Sequence, residues 1–220
     1  MSYASCAAIK TDGTLWTWGA NNNGQLGLGN TTTYSSPKQV GALTTWASIA
    51  ATGQAATATF IGAIKTDGTL WTWGVNNVGQ LGLGNLTNYS SPKQVGALTT
   101  WSKVFCITGN MFAIKTDGTL WAWGQNTAGV LGLGNTTAYS SPKQVGALTT
   151  WATFPNGCSP NSFIQIIKSD GSLWAWGNNA TYGQLGLGNT TSYSSPVQVG
   201  AVTTWISAAI GQQFTLAIRT

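Results

Sequence analysis

The sequence predicts an all-β repeat protein, either a propeller or a solenoid, and three observations predict it. First, the segment Ala-Ile-Lys-Thr-Asp-Gly-Thr-Leu-Trp-x-Trp-Gly begins at Ala8, Ala63 and Ala113 and returns, slightly edited, at Ile166. Its aspartates Asp12, Asp67, Asp117 and Asp170 lie 55, 50 and 53 residues apart, a period typical of arrays of supersecondary units. Second, helical periodicity is absent throughout. Third, the chain holds 29 Gly and 12 Trp but only 6% charged residues. Such a polar, uncharged composition favours strands and turns over helices. A single unit is too small to bury its own apolar face, so the 220 residues read as one domain of four units.

Each unit reads as four short strands. The first is Phe60 to Lys65. Asp67-Gly68 follows as a tight hairpin, because Gly accepts the positive φ such turns need. The second strand is Thr69 to Trp73, with Leu70 and Thr72 on one face and Trp71 and Trp73 on the other. Gly74 ends it. A long Gly/Asn-rich loop, Val75 to Tyr89, is expected to tuck Leu81 and Leu83 beneath itself. The third strand is Ser91 to Val95, where Pro92 at the start suits an edge. The fourth is Trp101 to Ile107. Copies differ in length at 52–59, 108–111 and 155–162. Variable lengths at one point of a repeat mark loops on one face, often the binding face.

The stretches Asp67-Gly68-Thr69-Leu70-Trp71-Thr72-Trp73-Gly74, Asn77-Val78-Gly79-Gln80-Leu81-Gly82-Leu83-Gly84 and Pro92-Lys93-Gln94-Val95 carry a resemblance. Together they resemble the regulator-of-chromosome-condensation (RCC1) repeat, four times over and across essentially the whole chain. The resemblance implies an RCC1-like β-propeller of four repeats with four-stranded blades, closed as a small ring or left as an open arc. Its units run about 7–62, 63–112, 113–165 and 166–215 within a single domain 1–220, with a spare terminal strand at 214–220. The histidine often seen in the family before the first strand's Ala-Ile pair is missing. Phe60, Phe163 and Phe214 take that place. Near-identity of Tyr34 to Trp46 with its later copies resembles a bacterial or bacteriophage variant of the family. The nucleotide-exchange activity of some members maps to no residue of this sequence.

The strand count is uneven. The first type occurs near Ala7, Ala63, Ala113, Ile166 and Ala217, whereas the other types occur four times each. If the Trp-led strand is innermost, as the family implies, the first blade lacks one. Trp205 to Ala209 could supply it and close a small ring. Phe214 to Arg219 and Ser5 to Lys10 then compete for one slot. Either one strand is displaced, or the C-terminal strand pairs with another chain, or copies complete an open arc. Self-association through the terminal strands is the expectation, because an unpaired β edge invites pairing.

Catalytic, cofactor-binding and metal-binding residues are all expected to be none. The only acids are the four turn aspartates, and histidine is absent, so neither a nucleophile–base pair nor a zinc set can be built. Cys6, Cys106 and Cys158 occupy different repeat positions without a CxxC pair. Asn21 to Asn23 could attract calcium, but turn chemistry accounts for them. The Gly-Gln-Leu-Gly-Leu-Gly run lacks the strand-to-helix context of a phosphate loop. Lys10, Lys65, Lys115 and Lys168 are one repeat position, and Lys38, Lys93 and Lys143 another. They read as scattered solubilising charges. The net charge of +5 without a basic run does not make a nucleic-acid face. Trp16, Trp71, Trp121 and Trp174, with their partners two residues on, read as blade packing, with a sugar platform as the alternative.

No segment reads as a signal peptide or a membrane span. The function read from these features is a non-enzymatic binding or assembly propeller. Its specific form is a structural component of a phage-like particle, a fibre or decoration protein, and hence virion-associated. The alternatives are an intracellular interaction module of the RCC1 type, with a GTPase or chromatin partner, and a lectin-like binder of cell-surface glycans.

Overall fold

Strand β1 (Ser5–Ile9), β2 (Leu15–Gly19) and β3 (Tyr34–Gln39) form a three-stranded antiparallel sheet at the start of the chain. Three four-stranded sheets follow. They are β4 (Trp46–Ala51), β5 (Phe60–Lys65), β6 (Leu70–Gly74) and β7 (Tyr89–Gln94), then β8 (Trp101–Ile107), β9 (Asn110–Lys115), β10 (Leu120–Gly124) and β11 (Tyr139–Gln144), then β12 (Trp151–Thr153), β13 (Phe163–Lys168), β14 (Leu173–Gly177) and β15 (Tyr193–Gln198). A two-stranded ribbon, β16 (Trp205–Ile210) and β17 (Thr215–Arg219), ends it. The structure is a computed structural model that describes residues 5–52, 59–157 and 162–220. Cys158 lies outside the described residues, together with 53–58 and the rest of 158–161 in two of the variable-length segments.

The architecture is an RCC1-like β-propeller laid out as an open arc. Each full blade takes its Trp-led strand from one sequence unit and its other three from the next, so blades and sequence units are offset by a strand. Of the two expected geometries, the small ring does not form. Strand β16 pairs with β17 across residues 211–214 instead of reaching β1. A hairpin closes a short loop, whereas ring closure would have to bend the whole arc.

The strand limits shift from those expected. The third strand begins two residues earlier, at Tyr89, so Pro92 lies inside an edge strand rather than at its start. The outer edge has no ladder partner for its missing N–H to lose. Gly74 closes the second strand and pairs with Tyr89 across a bulge. Among the described residues, the one departure from strands and turns is a 3-10 turn at Thr127–Gly129. Leu70, Thr72 and Trp73 are all buried, so the simple two-face alternation does not produce one wet face. Both faces of an interior blade are covered by neighbouring blades.

Candidate functional site

A tryptophan from one repeat and an asparagine-pinned loop from the repeat before it build each of three joints between blades. Trp73, Trp123 and Trp176 have no exposed surface and donate their indole N–H to the main-chain carbonyls of Gln25 (3.0 Å), Gln80 (3.0 Å) and Val130 (2.8 Å) in the preceding blade's loop. The indole lies against a glycine: a Cβ at Gly82, whose φ is +71°, would fall 2.6 Å from Trp123 Nε1. That loop is pinned from within by an asparagine. Asn76 Nδ2 donates to the carbonyl of Asn85, and its Oδ1 accepts from Leu81 N–H. The equivalent Asn21 spends its amide the same way, with Nδ2 donating to the carbonyls of Asn30 and Thr32 and Oδ1 accepting from Leu26 N–H, a turn-pinning role. Leu81 is buried and Leu83 half-buried beneath the loop, as expected.

Beside two of the joints lies a groove. One, of about 380 Å³, is lined by Val40, Leu43, Trp46, Lys65, Trp71 and Pro92, among others. Its counterpart one repeat on, of about 400 Å³, is lined by Val95, Leu98, Trp101 and Pro142. Leu43, Leu98 and the equivalent Leu148 are 45%, 46% and 43% exposed. The inner wall is aromatic: Trp46 meets Trp71 and Trp73 edge-on at ring separations of 6.4 and 6.0 Å. The indole N–H groups of Trp46, Trp101, Trp151 and Trp205 are buried without an acceptor among the described residues.

The lysines correct an expectation. Lys65 and Lys168 are not scattered solubilising charges; they are 9% and 7% exposed. Each ammonium lies 3.8 Å from one indole centroid (Trp71, Trp174) and 5.1 or 5.3 Å from a second (Trp46, Trp151). Lys115 repeats this over Trp121 and Trp101, at 3.8 and 5.2 Å. The electron-rich ring faces hold the cation. Burial lowers the pKa of Lys65 and Lys168, against the opposing pull of Asp67 and Asp170. Sequence reasoning placed the tryptophans in the packing but missed this arrangement. The signal was present, since Lys65 stands six residues before Trp71 in every copy, but pairing it with Trp46 requires the sheet.

A family model for the Regulator of chromosome condensation (RCC1) repeat matches residues 12–58, 67–113, 117–165 and 170–218. The chain belongs to the RCC1 repeat family. It is 34% identical over 195 residues to the ultraviolet-B receptor UVR8 of Arabidopsis thaliana, covering 88% of this chain and 43% of the receptor. It is 42% identical over 97 residues to mouse RCC2, covering 41% of this chain and 18% of that protein. The chain thus spans less than half the length of these curated relatives. Among solved structures, human WBSCR16 aligns with a TM-score of 0.82 at 19% identity, over 100% of this chain and 56% of that one. Prp20p of Saccharomyces cerevisiae, described together with its binding to Gsp1p and histones, aligns with a TM-score of 0.80 at 18% identity, over 97% and 53%. At these identities the structural likeness is one of fold.

The RCC1 aspartates make turns. Asp67 Oδ1 accepts from Thr69 N–H at 2.9 Å and Thr69 Oγ1 at 2.7 Å, and Thr69 Oγ1 in turn accepts from the Trp71 indole at 2.8 Å. The Thr14 hydroxyl and N–H, aided by Lys10, bring the Asp12 carboxyl down to about 2. The same hydrogen bonds lower Asp67, Asp117 and Asp170. Among the described residues no three His, Cys, Asp or Glu side chains gather as a metal site. On the side where the Trp-led strands meet, a shallower hollow is lined by Ser48, Ser102, Lys103, Val104, Thr153 and Phe154. No helix is long and apolar enough to cross a membrane among the described residues.

Proposed function

We propose that the chain is a protein-interaction module of the RCC1 type, whose grooves take apolar and acidic side chains of a protein partner. The observation that carries this is the repetition of one groove chemistry along the arc. In both grooves an exposed leucine stands beside a buried indole wall, Leu43 by Trp46 and Leu98 by Trp101, and the first groove also carries Lys65, which has no salt-bridge partner among the described residues. A partner's apolar side chain would cover the leucine, and a carboxylate would approach the lysine. The net charge of +5 favours an acidic partner. Lysine ammoniums already occupy a face of Trp71, Trp121 and Trp174, which favours protein over the sugar stacking of a lectin.

The test replaces Leu43, Leu98 and Leu148 together by Glu. In affinity capture from the source cells, the parent chain retains a discrete partner and the triple variant loses it. Identical capture by both would refute the groove as the binding surface.

A second reading, a fibre or decoration protein of a phage-like particle, is favoured by the identity of residues 34–46, 89–101 and 139–151. Near-perfect repetition suits a structural part that presents one surface many times. Stoichiometric recovery of the chain in purified particles supports that reading, and its absence from them refutes it.

A further inference from the structure

The two ends of the arc carry the two halves of one blade. The first sheet has three strands and lacks the Trp-led one, while the last has that strand in β16. Elsewhere this strand pairs with its neighbour in a fixed register: Trp46 opposite Lys65, Trp101 opposite Lys115, Trp151 opposite Lys168. In β16 the place of the lysine is taken by Arg219 of β17. Lys10, which holds that place in the repeat directly after β1, has no Trp-led strand opposite it among the described residues. The Trp–Lys–Trp sandwich is therefore split. Lys10 lies 5.6 Å from Trp16 at one end, and Arg219 lies 5.9 Å from Trp205 at the other. Both are looser than the 3.8 Å of the interior sandwiches.

The joint is split as well. Trp18 occupies the position of Trp73, Trp123 and Trp176, yet it is only half-buried and its indole meets no acceptor among the described residues. The matching carbonyl at the far end, that of Gln184, accepts from Thr215 Oγ1 at 3.1 Å instead. Gly186 stands where Gly27, Gly82 and Gly132 cradle an indole, but the nearest atom to a Cβ there is Val199 Cγ1 at 3.6 Å. The N–H of Gly29, Gly84 and Gly134 donates to a serine carbonyl of the next blade at 2.8 Å. Gly188 and Ser35, the free halves of that bond, sit at opposite ends of the chain.

We infer that a second copy of this chain completes the split blade. Strand β16 of one copy pairs with β1 of the next, and β17 is displaced. Its residues Leu216 and Ile218 are 64% and 62% exposed, and among the described strands it pairs with β16 alone, so its outward side chains give up little buried apolar surface when it leaves. Lys10 then enters between Trp205 and Trp16, and Trp18 reaches the Gln184 carbonyl. This goes beyond the partner-binding reading, since it uses the ends of the arc and not the grooves. The interface is head-to-tail, so it closes a ring or propagates.

The test locks β17 in place. Ala208 and Ala217 face each other across β16 and β17. In a Cys6→Ser background, Ala208→Cys with Ala217→Cys staples the ribbon when oxidised. Sedimentation over a concentration series should show the parent self-associating, the oxidised lock monomeric and the reduced lock restored. Trp18→Ala should weaken association at least tenfold. At concentrations where Trp18→Ala alone stays monomeric, mixing it with the oxidised lock leaves one head too weak to bind and one tail blocked, on different chains. The surviving tail is that of Trp18→Ala and the surviving head that of the lock, so the mixture should form a 1:1 dimer that grows no further. A parent that stays monomeric, an oxidised lock that still associates, or a mixture that stays monomeric would each overturn the proposal. Circular dichroism of each variant confirms that the sheets are retained.

Discussion

Trp123 and Trp18 occupy the same repeat position, in the same Trp-x-Trp-Gly setting, and meet different fates. Trp123 is fully buried and hydrogen-bonded to the preceding blade. Trp18 is half-buried, and no blade precedes its sheet among the described residues. The difference teaches that this residue stabilises a joint rather than a blade. Its contribution exists only where a neighbour supplies the glycine cradle and the carbonyl, as nearest-neighbour terms do in repeat arrays.

The largest effect should come from truncating the two indoles. Trp123→Ala opens a cavity inside a joint and removes the hydrogen bond, and should cost about 3–5 kcal/mol. Trp18→Ala should cost about 1 kcal/mol or less in the monomer, in line with a partly exposed position. Urea unfolding of both variants measures this, and equal losses would break the comparison. Next come the glycines. Gly82→Ala puts a methyl 2.6 Å from Trp123 Nε1 at a φ of +71°, so overpacking of about 1–3 kcal/mol adds to the left-handed backbone cost. Gly186→Ala, at a φ of +70° with its cradle empty, should show only the backbone cost, about 1–2 kcal/mol. A thermal melt of each variant separates the two.

A smaller effect is expected at the sandwich. Lys65→Met keeps the stem and removes a buried ammonium, so stability should change by about 1 kcal/mol or less. Partner capture should weaken nonetheless, which separates the fold role from the binding role. The pH dependence is the mildest. Hydrogen bonds from Thr69 hold the Asp67 carboxyl below its ordinary value, and Asp12 lies at about 2. Between these folded values and the unfolded value of about 3.9, the unfolded chain binds more protons. Stability should therefore be fully present above pH of about 4 and fall as pH drops through that window. Asp67→Asn should make the fall shallower, which urea midpoints at pH 2 to 6 would show; an unchanged slope would remove Asp67 from the account.

Much of this molecule was legible in the sequence. The Asp-Gly turns, the Trp-x-Trp strand and the Gly/Asn loop each follow from local chemistry. Glycine admits positive φ, aspartate accepts from the residue two ahead, and alternation sets the faces of a strand. Repetition then made four units certain and an RCC1 propeller legible. The odd strand count marked the two ends of the chain as the places where pairing was open, but left ring closure by Trp205 to Ala209, a displaced strand and pairing between chains as alternatives. What the tertiary structure alone decided depends on residues far apart in the chain. Trp46 and Lys65 meet across a sheet, the Trp73 indole finds a carbonyl 48 residues away, and β16 folds back on β17 rather than reaching β1. The grooves share this origin, since a repeat carries only part of the lining and its neighbour supplies the rest. Local pattern is set by backbone and side-chain stereochemistry within a few residues, whereas a joint's burial and a lysine's charge environment exist only once two blades are pressed together.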